Sequence, residues 1–321
     1  MSNGIHRHTS NKQCSSPNKV SLEEKSKSLY SKMIPFDLQP IWLKDNEFLQ
    51  TNYRPINNSY WKCIKTMFLL HTETFNIWTH LLGCVFVCLL TLSALYIHTF
   101  KLSDVKIQLS SLPTIDKAMF SLFAISAASC LLGSTTFHIF TCHSESTAKF
   151  LNKIDYLGTT VCIIGSSLPL IYYGFFCHPW LIFIYCTVFL VGGGLCCYIS
   201  FSDTFRRRDY RKVRPTMFIL LGLTGIIPIC HIISMRGFTE VFDRYALHWL
   251  CMMAFCYIFG AFIYSMRIPE RFFPGKFDIF AHSHQIFHMF VIFGIISHYE
   301  CLTSTVSYYS NHQSICQANV F

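Results

Sequence analysis

The chain has 321 residues, of which 52% are apolar and only 13% are charged, whereas soluble domains average about 25% charged residues. This composition, with 31 phenylalanines and long uncharged stretches, is typical of a polytopic membrane protein and excludes an ordinary soluble domain. The net charge of +9 comes from basic residues that cluster beside the apolar stretches, which favours a role in membrane topology over nucleic-acid binding. We therefore expect no nucleic-acid partner.

Four regions follow one another along the chain. Residues 1–32 are rich in Ser, Lys and Asn, and we expect them to form a disordered cytosolic tail. Residues 33–74 mix aromatic and charged side chains, which is typical of a cytosolic segment at the membrane interface. Residues 75–298 hold the apolar segments, and residues 299–321 form a predicted extracellular tail.

Seven apolar segments fit between residues 75 and 298. Each has about twenty residues, and at a rise of about 1.5 Å per residue a helix of that length crosses a hydrocarbon core of about 30 Å. We place the segments at residues 75–98, 117–140, 154–175, 180–201, 216–235, 246–266 and 279–298. The predicted fold is an all-α seven-transmembrane helix bundle.

The distribution of positive charge orients this bundle. Of the 26 Lys and Arg residues, 21 lie on the N-terminal side of the predicted membrane and five lie on the other side. The largest single contribution from a loop between two spans is the basic run at residues 206–212. Because positive residues concentrate in cytosolic loops, the N-terminus is predicted in the cytosol, and seven spans then place the C-terminus outside.

Ionisable side chains inside apolar segments are energetically unfavourable and therefore mark candidate sites. The seventh segment carries His284 and His288, which lie four residues apart and so share one face of a helix. Two imidazoles in this arrangement can bind one Zn²⁺ ion, although such a pair taken alone more often represents packed or hydrogen-bonded histidines. The other ionisable residues in or beside the segments are Glu73, His80, His138, Asp155, His231, His248, His282 and His298.

The predicted orientation brings two of these residues to the depth of the histidine pair. His138 ends the second segment and Asp155 begins the third, and both of these ends lie at the cytosolic face. His284 and His288 lie within about two to three helical turns of the same face. Three histidines with one open position are typical of catalytic zinc, which makes a nucleophile of its bound water. His231, His248 and His298 fall at the opposite ends and are interpreted as packing or rim residues.

Several alternatives remain open at this point. Asp155 either ligates the metal directly or holds the bound water and acts as general base. Ser134, one turn before His138, either supports that water or the substrate, or donates its hydroxyl to a carbonyl of its own helix. A bis-histidine haem is the main alternative metal group, but the spacing of His284 and His298 has no matching pair on another segment.

These residues and their neighbours resemble the progestin and adipoQ receptor (PAQR) family of seven-transmembrane proteins, and within it the adiponectin receptors. The resemblance runs from Ile34 to His298, most of the chain. Its motifs are Trp42-Leu43-Lys44-Asp45-Asn46, His71-Thr72-Glu73-Thr74, Asn76-Ile77-Trp78-Thr79-His80, Phe137-His138, Cys142-His143-Ser144-Glu145, Asp155-Tyr156, and residues 267–278 with 283–288.

The resemblance implies that His138, His284 and His288 bind Zn²⁺ and that Asp155 reaches the metal through water. It implies a ceramidase-like amide hydrolase that releases a fatty acid and a sphingoid base, and a receptor that regulates lipid metabolism from the plasma membrane. The expected partners are membrane lipids, an extracellular adiponectin-like protein and a cytosolic adaptor. The alternative hypothesis is a non-catalytic receptor or membrane-fluidity sensor with a structural zinc. A transporter or helix bundle whose polar residues are purely structural is a third.

Overall fold

The computed structural model describes residues 33–93, 113–202 and 213–311. The predicted disordered tail at residues 1–32 and the basic run at residues 206–212 lie outside this part of the chain. The described residues form ten α-helices, one 3₁₀ turn at Phe36–Leu38 and one isolated antiparallel bridge between Ile34 and Tyr53. In chain order the helices are α1 (Tyr60–Thr66), α2 (Thr74–Leu92), α3 (Thr114–Phe140), α4 (Glu145–Gly174), α5 (Pro179–Phe201), α6 (Val213–Leu223), α7 (Ile226–Arg236), α8 (Phe238–Arg244), α9 (Leu247–Met266) and α10 (Ser283–Asn311).

Seven helical segments in the described residues are long and apolar enough to cross a membrane. Six of them are the single helices α2, α3, α4, α5, α9 and α10, and the remaining one is the α6–α7 pair at Pro215–Arg236. The prediction of an all-α bundle with seven spans is therefore confirmed. In the fifth span, Pro228 lies in the first turn of α7, where its missing N–H removes no hydrogen bond of the helix.

Two helices extend far beyond the predicted spans. The third span begins at Glu145 rather than at residue 154, because the Ser144 side chain caps α4 by accepting a hydrogen bond from the Thr147 N–H. The last helix continues to Asn311, past the predicted end of the seventh span at residue 298. The first part of the predicted extracellular tail is thus helical.

The helices that matter for the site approach one another closely. The second and third spans, α3 and α4, pack as an antiparallel pair, and α2 packs against both α3 and α10. Between α3 and α4, a Cβ atom added at Gly158 would lie 3.0 Å from the Cα atom of Cys130. Small residues at such positions let membrane helices pack backbone to backbone.

The interfacial segment at residues 33–59 packs across one end of this bundle. The Asp278 carboxylate accepts hydrogen bonds from the main-chain N–H groups of Gln50, at 3.0 Å, and Thr51, at 2.8 Å. The buried guanidinium of Arg54 donates to the main-chain oxygens of His138 and Ile139 at the end of α3. These contacts hold the segment against the ends of α3 and α10, where the candidate site lies.

Candidate metal centre

His138, His284 and His288 converge on one point between α3 and α10. His138 lies in the last turn of α3, and the other two histidines lie in the first two turns of α10. One ring nitrogen from each residue lies within 4.8 Å of the other two. Nitrogen ligands of tetrahedral zinc are about 3.4 Å apart, as follows from zinc–nitrogen bonds of about 2.1 Å. Small side-chain adjustments would therefore fit the three imidazoles to one ion.

The hydrogen bonds of two of these histidines leave a ring nitrogen available for a metal. The Nδ1 atom of His138 lies 2.7 Å from a carboxylate oxygen of Glu73, so Nδ1 carries the proton that it donates. The Nε2 atom of His138 is buried and has no hydrogen-bond partner. The Nδ1 atom of His288 faces the main-chain oxygen of Asn76 at 3.2 Å and the Thr79 hydroxyl at 3.3 Å. Both rings can therefore offer the Nε2 lone pair, which is what a zinc site requires.

Asp155 lies on α4 and lines the same cavity as the three histidines. Its carboxylate is paired with the hydroxyl of Ser134, which lies one turn before His138 on α3. Of the two roles considered for Ser134, this contact favours support of the site over a bond to its own helix. Asp155 is not among the residues whose ligand atoms cluster within 4.8 Å, so its position suits a group that acts beside the metal.

His80 is a fourth histidine at this site, and the sequence assigned no role to it. Its ring stacks on the ring of His288, with centroids 3.5 Å apart and an angle of 7° between the planes. Only 3% of the residue is exposed, and neither ring nitrogen has a hydrogen-bond partner. A buried polar atom without a partner is unfavourable by about 1–3 kcal/mol, so this residue calls for a functional explanation.

A cavity of about 910 Å³ extends from the histidine cluster into the bundle. His138, His284, His288 and Asp155 are among the polar residues that line it. The rest of the wall comes mainly from apolar side chains, among them Ile163, Leu170, Phe189, Ile229, Ile232, Leu250, Ile258 and Val291. A mostly apolar cavity of this size with a few convergent polar groups is typical of a small-molecule site, and here its apolar wall suits a lipid chain.

The histidines interpreted as packing or rim residues lie away from the cluster. The Nδ1 atom of His231 lies 2.8 Å from the hydroxyl of Tyr185. His298 is buried against the ring of Phe123 at 4.7 Å, and it follows His288 by ten residues, or about 15 Å along the helix. Neither residue belongs to the metal-ligand cluster found in the described part of the chain.

The interfacial residue His71 has a structural role beside the site. Its Nε2 atom donates to the Thr66 main-chain oxygen at 3.0 Å, and its Nδ1 atom accepts from the Glu73 N–H at 3.0 Å. Burial, followed by the nearby positive charge of Arg54, lowers the pKa of His71 to about 3. The ring is therefore neutral, and it fixes the backbone turn that presents Glu73.

The fold and the site define a class of protein: a membrane protein with seven spans in which a three-histidine cluster, with two of its members buried, lines a mostly apolar cavity. Residues 68–299 match the family described as Haemolysin-III related. The chain is 40% identical over 269 residues to the adiponectin receptor protein of Drosophila melanogaster, an alignment that covers 84% of this chain and 58% of that protein. It is also 40% identical over 268 residues to Progestin and adipoQ receptor-like protein 1 of Caenorhabditis elegans. This alignment covers 84% of this chain and 59% of the worm protein.

A yeast relative is matched over most of its own length. The ADIPOR-like receptor IZH2 of Saccharomyces cerevisiae is 34% identical over 275 residues, which cover 85% of this chain and 84% of the relative. The chain spans less than two thirds of the length of the fly and worm relatives. It belongs to the haemolysin-III-related PAQR family and is a multi-pass, adiponectin-receptor-like membrane protein.

Proposed function

We propose that this chain is a zinc-dependent amide hydrolase of the membrane that acts on ceramide-like lipids. The observation that carries the proposal is the orphaned, buried Nε2 atom of His138, which belongs to a group of three imidazoles within 4.8 Å of one another. This group lines the mostly apolar cavity. In this proposal His138, His284 and His288 hold the ion, and the lipid chains lie along the cavity.

The protein's own residues perform the remaining chemistry. A bound Zn²⁺ would supply the Lewis acid that polarises the amide carbonyl and acidifies a water molecule. The Asp155 carboxylate takes a proton from the attacking water and returns it to the leaving nitrogen, which gives a fatty acid and a sphingoid base. Ser134 holds that carboxylate in place, and the apolar cavity wall positions the lipid chains.

The proposal includes a receptor function at the plasma membrane. The N-terminus would face the cytosol, where an adaptor would bind, and the C-terminus would face an adiponectin-like protein outside. Cys177, in the connection between α4 and α5, is disulfide-bonded and stands at the opposite end of α4 from the histidine cluster. Because disulfides persist mainly outside the cytosol, this bond supports placing the histidines at the cytosolic face.

A non-catalytic receptor with structural zinc is the second candidate function. One observation favours it: an ion between His138 and the α10 histidines would join α3 to α10 directly, and so would stabilise the bundle without any turnover. Both functions require the same three ligands. They differ in what they require of Asp155, which only the hydrolase needs.

The test combines metal analysis with a hydrolysis assay on the full chain in lipid nanodiscs. We expect about one zinc per wild-type chain, loss of that zinc in His284→Ala, and unchanged zinc in the control His231→Ala. Asp155→Asn is expected to keep the zinc and to lower fatty-acid release from ceramide by at least about 100-fold. Absence of zinc from the wild-type protein would refute the metal site. Full hydrolysis by Asp155→Asn would refute the role of Asp155, and a zinc-loaded wild type that releases no fatty acid would support the structural alternative.

A further inference from the structure

The residues at the start of α2 contact the site but have no role in the proposed reaction. Glu73 accepts the hydrogen bond from His138 at 2.7 Å, and the side-chain amide of Asn76 donates to the same carboxylate oxygen, also at 2.7 Å. The main-chain oxygen of Asn76 and the hydroxyl of Thr79 face the Nδ1 atom of His288. One helix thus contacts the outer ring nitrogen of two of the three candidate ligands.

Helix capping does not explain the position of Glu73. Acidic side chains before a helix usually stabilise it by accepting hydrogen bonds from its first N–H groups. Glu73 precedes α2, but its side chain makes no capping hydrogen bond and is turned towards His138. Asn76 is buried, with only 1% of its surface exposed, and its amide holds the Glu73 carboxylate. The pair is therefore organised around the imidazole of His138.

We propose that α2 forms the outer layer of the metal centre and that Glu73 is its principal positioning residue. Glu73 fixes the His138 ring with Nε2 pointing to the ion and makes that nitrogen a stronger ligand, because a carboxylate on the outer N–H pulls the proton away from the ring. Asn76 holds Glu73 with its side chain and His288 with its main-chain oxygen. This inference rests on the proposed zinc site and assigns a function to Glu73 and Asn76, polar residues of α2 and its N-terminal flank.

The experiment measures zinc affinity by competition with a chromophoric chelator, on the full chain in detergent. In Glu73→Ala, where no acceptor remains for the His138 N–H, we expect affinity to fall about 10- to 100-fold. Glu73→Gln retains an oxygen acceptor without the charge, and we expect a smaller loss. Because Gln has nearly the shape of Glu, this second variant answers the question if Glu73→Ala does not fold.

The matched control is Asp116→Asn, at the other end of α3. Asp116 is a buried carboxylate that, like the half-buried Glu73, accepts a short side-chain hydrogen bond, here from the Tyr173 hydroxyl at 2.6 Å. Its substitution is expected to lower stability and to leave zinc affinity unchanged. A cobalt-loaded protein gives a second readout: its visible absorption should shift in both Glu73 variants and remain as in the wild type in Asp116→Asn.

The outcomes separate this inference from the proposed function. If the wild type holds zinc and the two Glu73 variants hold it equally tightly with unchanged cobalt spectra, the positioning role is refuted and the zinc site stands. If Asp116→Asn weakens zinc binding as much as Glu73→Gln does, the effect is a general loss of stability, and the inference is again refuted. If the wild type holds no zinc, the proposed function itself fails.

Discussion

The contact between Gly158 on α4 and the backbone of α3 leads to the sharpest structural prediction. A Cβ atom at Gly158 would lie 3.0 Å from the Cα atom of Cys130 and 3.2 Å from the main-chain oxygen of Ser129. Backbone atoms cannot rotate away, and carbon atoms in ordinary contact are at least about 3.5 Å apart. In Gly158→Ala the two helices must therefore separate by about 0.5 Å, and overpacking of this kind reduces stability by about 1–3 kcal/mol.

Gly194→Ala is the matched control for this substitution. It lies in another membrane helix, α5, and a Cβ atom there would meet nothing within 4 Å. Both substitutions replace Gly by Ala within a helix, which stabilises the helix by about 1 kcal/mol in each case. The difference in stability between the two variants therefore measures the cost of the close contact at Gly158. The assay is thermal unfolding of the full chain in detergent, followed by tryptophan fluorescence. We expect Gly158→Ala to unfold at a lower temperature than Gly194→Ala, and equal unfolding temperatures would refute the close approach of α3 and α4.

The same substitution tests how the site is assembled. Gly158 lies one turn after Asp155, whereas His138 and Ser134 lie on the opposing helix α3. Separation of the two helices would therefore move the carboxylate away from Ser134 without touching the three histidines. We expect Gly158→Ala to keep its zinc and to lose more hydrolysis than Gly194→Ala. Loss of zinc with retained hydrolysis per bound ion would contradict this arrangement.

Three further substitutions follow from other contacts. Burial, and then the charge of Arg54, lower the pKa of His71 from about 6.5 to about 3, so the folded state binds fewer protons than the unfolded state in this window. Stability should therefore fall with pH below 6.5, by about 2 kcal/mol at pH 5, and His71→Gln should show a smaller drop in unfolding temperature between pH 7.5 and 5. Arg54→Met leaves the last carbonyls of α3 without donors, and we expect denaturant titrations to show a loss of stability of about 1–3 kcal/mol. The control Lys149→Met removes only an exposed ion pair and should change stability by less than about 0.5 kcal/mol. His80→Phe keeps the stacked ring and removes two nitrogens that have no hydrogen-bond partner. Calorimetry should therefore show an unfolding temperature equal to or higher than that of the wild type. A lower unfolding temperature would mean that these nitrogens have partners.

The spans could be predicted from the sequence because membrane thickness fixes the length of an apolar segment. The ends of the helices could not be predicted equally well. The first turns of α4 are rich in polar residues, so hydropathy places the boundary late, although the Ser144 cap begins the helix at Glu145. The last helix likewise continues to Asn311, and most of its residues from Tyr299 to Tyr309 are buried against the bundle.

Some features of the site could likewise be predicted from the sequence, and others could not. Charge counting predicts the direction of each span, and depth along the membrane normal then follows from residue number. This is enough to predict that His138, Asp155 and the α10 histidines lie at one level. The partnership of Glu73 with His138 depends on how α2 is rotated about its own axis and which helices are its neighbours. The depth of a residue in the membrane specifies neither this rotation nor the neighbouring helices. The spacing of Glu73, Asn76 and His80 was the available signal, since residues three and four apart share a helix face.

The number of ligands favours catalysis over a purely structural ion. Structural zinc sites are usually closed by four protein ligands, whereas catalytic sites use three and leave one position open. In the described part of the chain the cluster has three members, and the cavity lies beside it with Asp155 in its wall. A lipid in that cavity would be within reach of an ion held by the three histidines. A purely structural ion would explain a link between α3 and α10. It would not explain why Asp155, Ser134 and an apolar cavity lie beside the same three histidines.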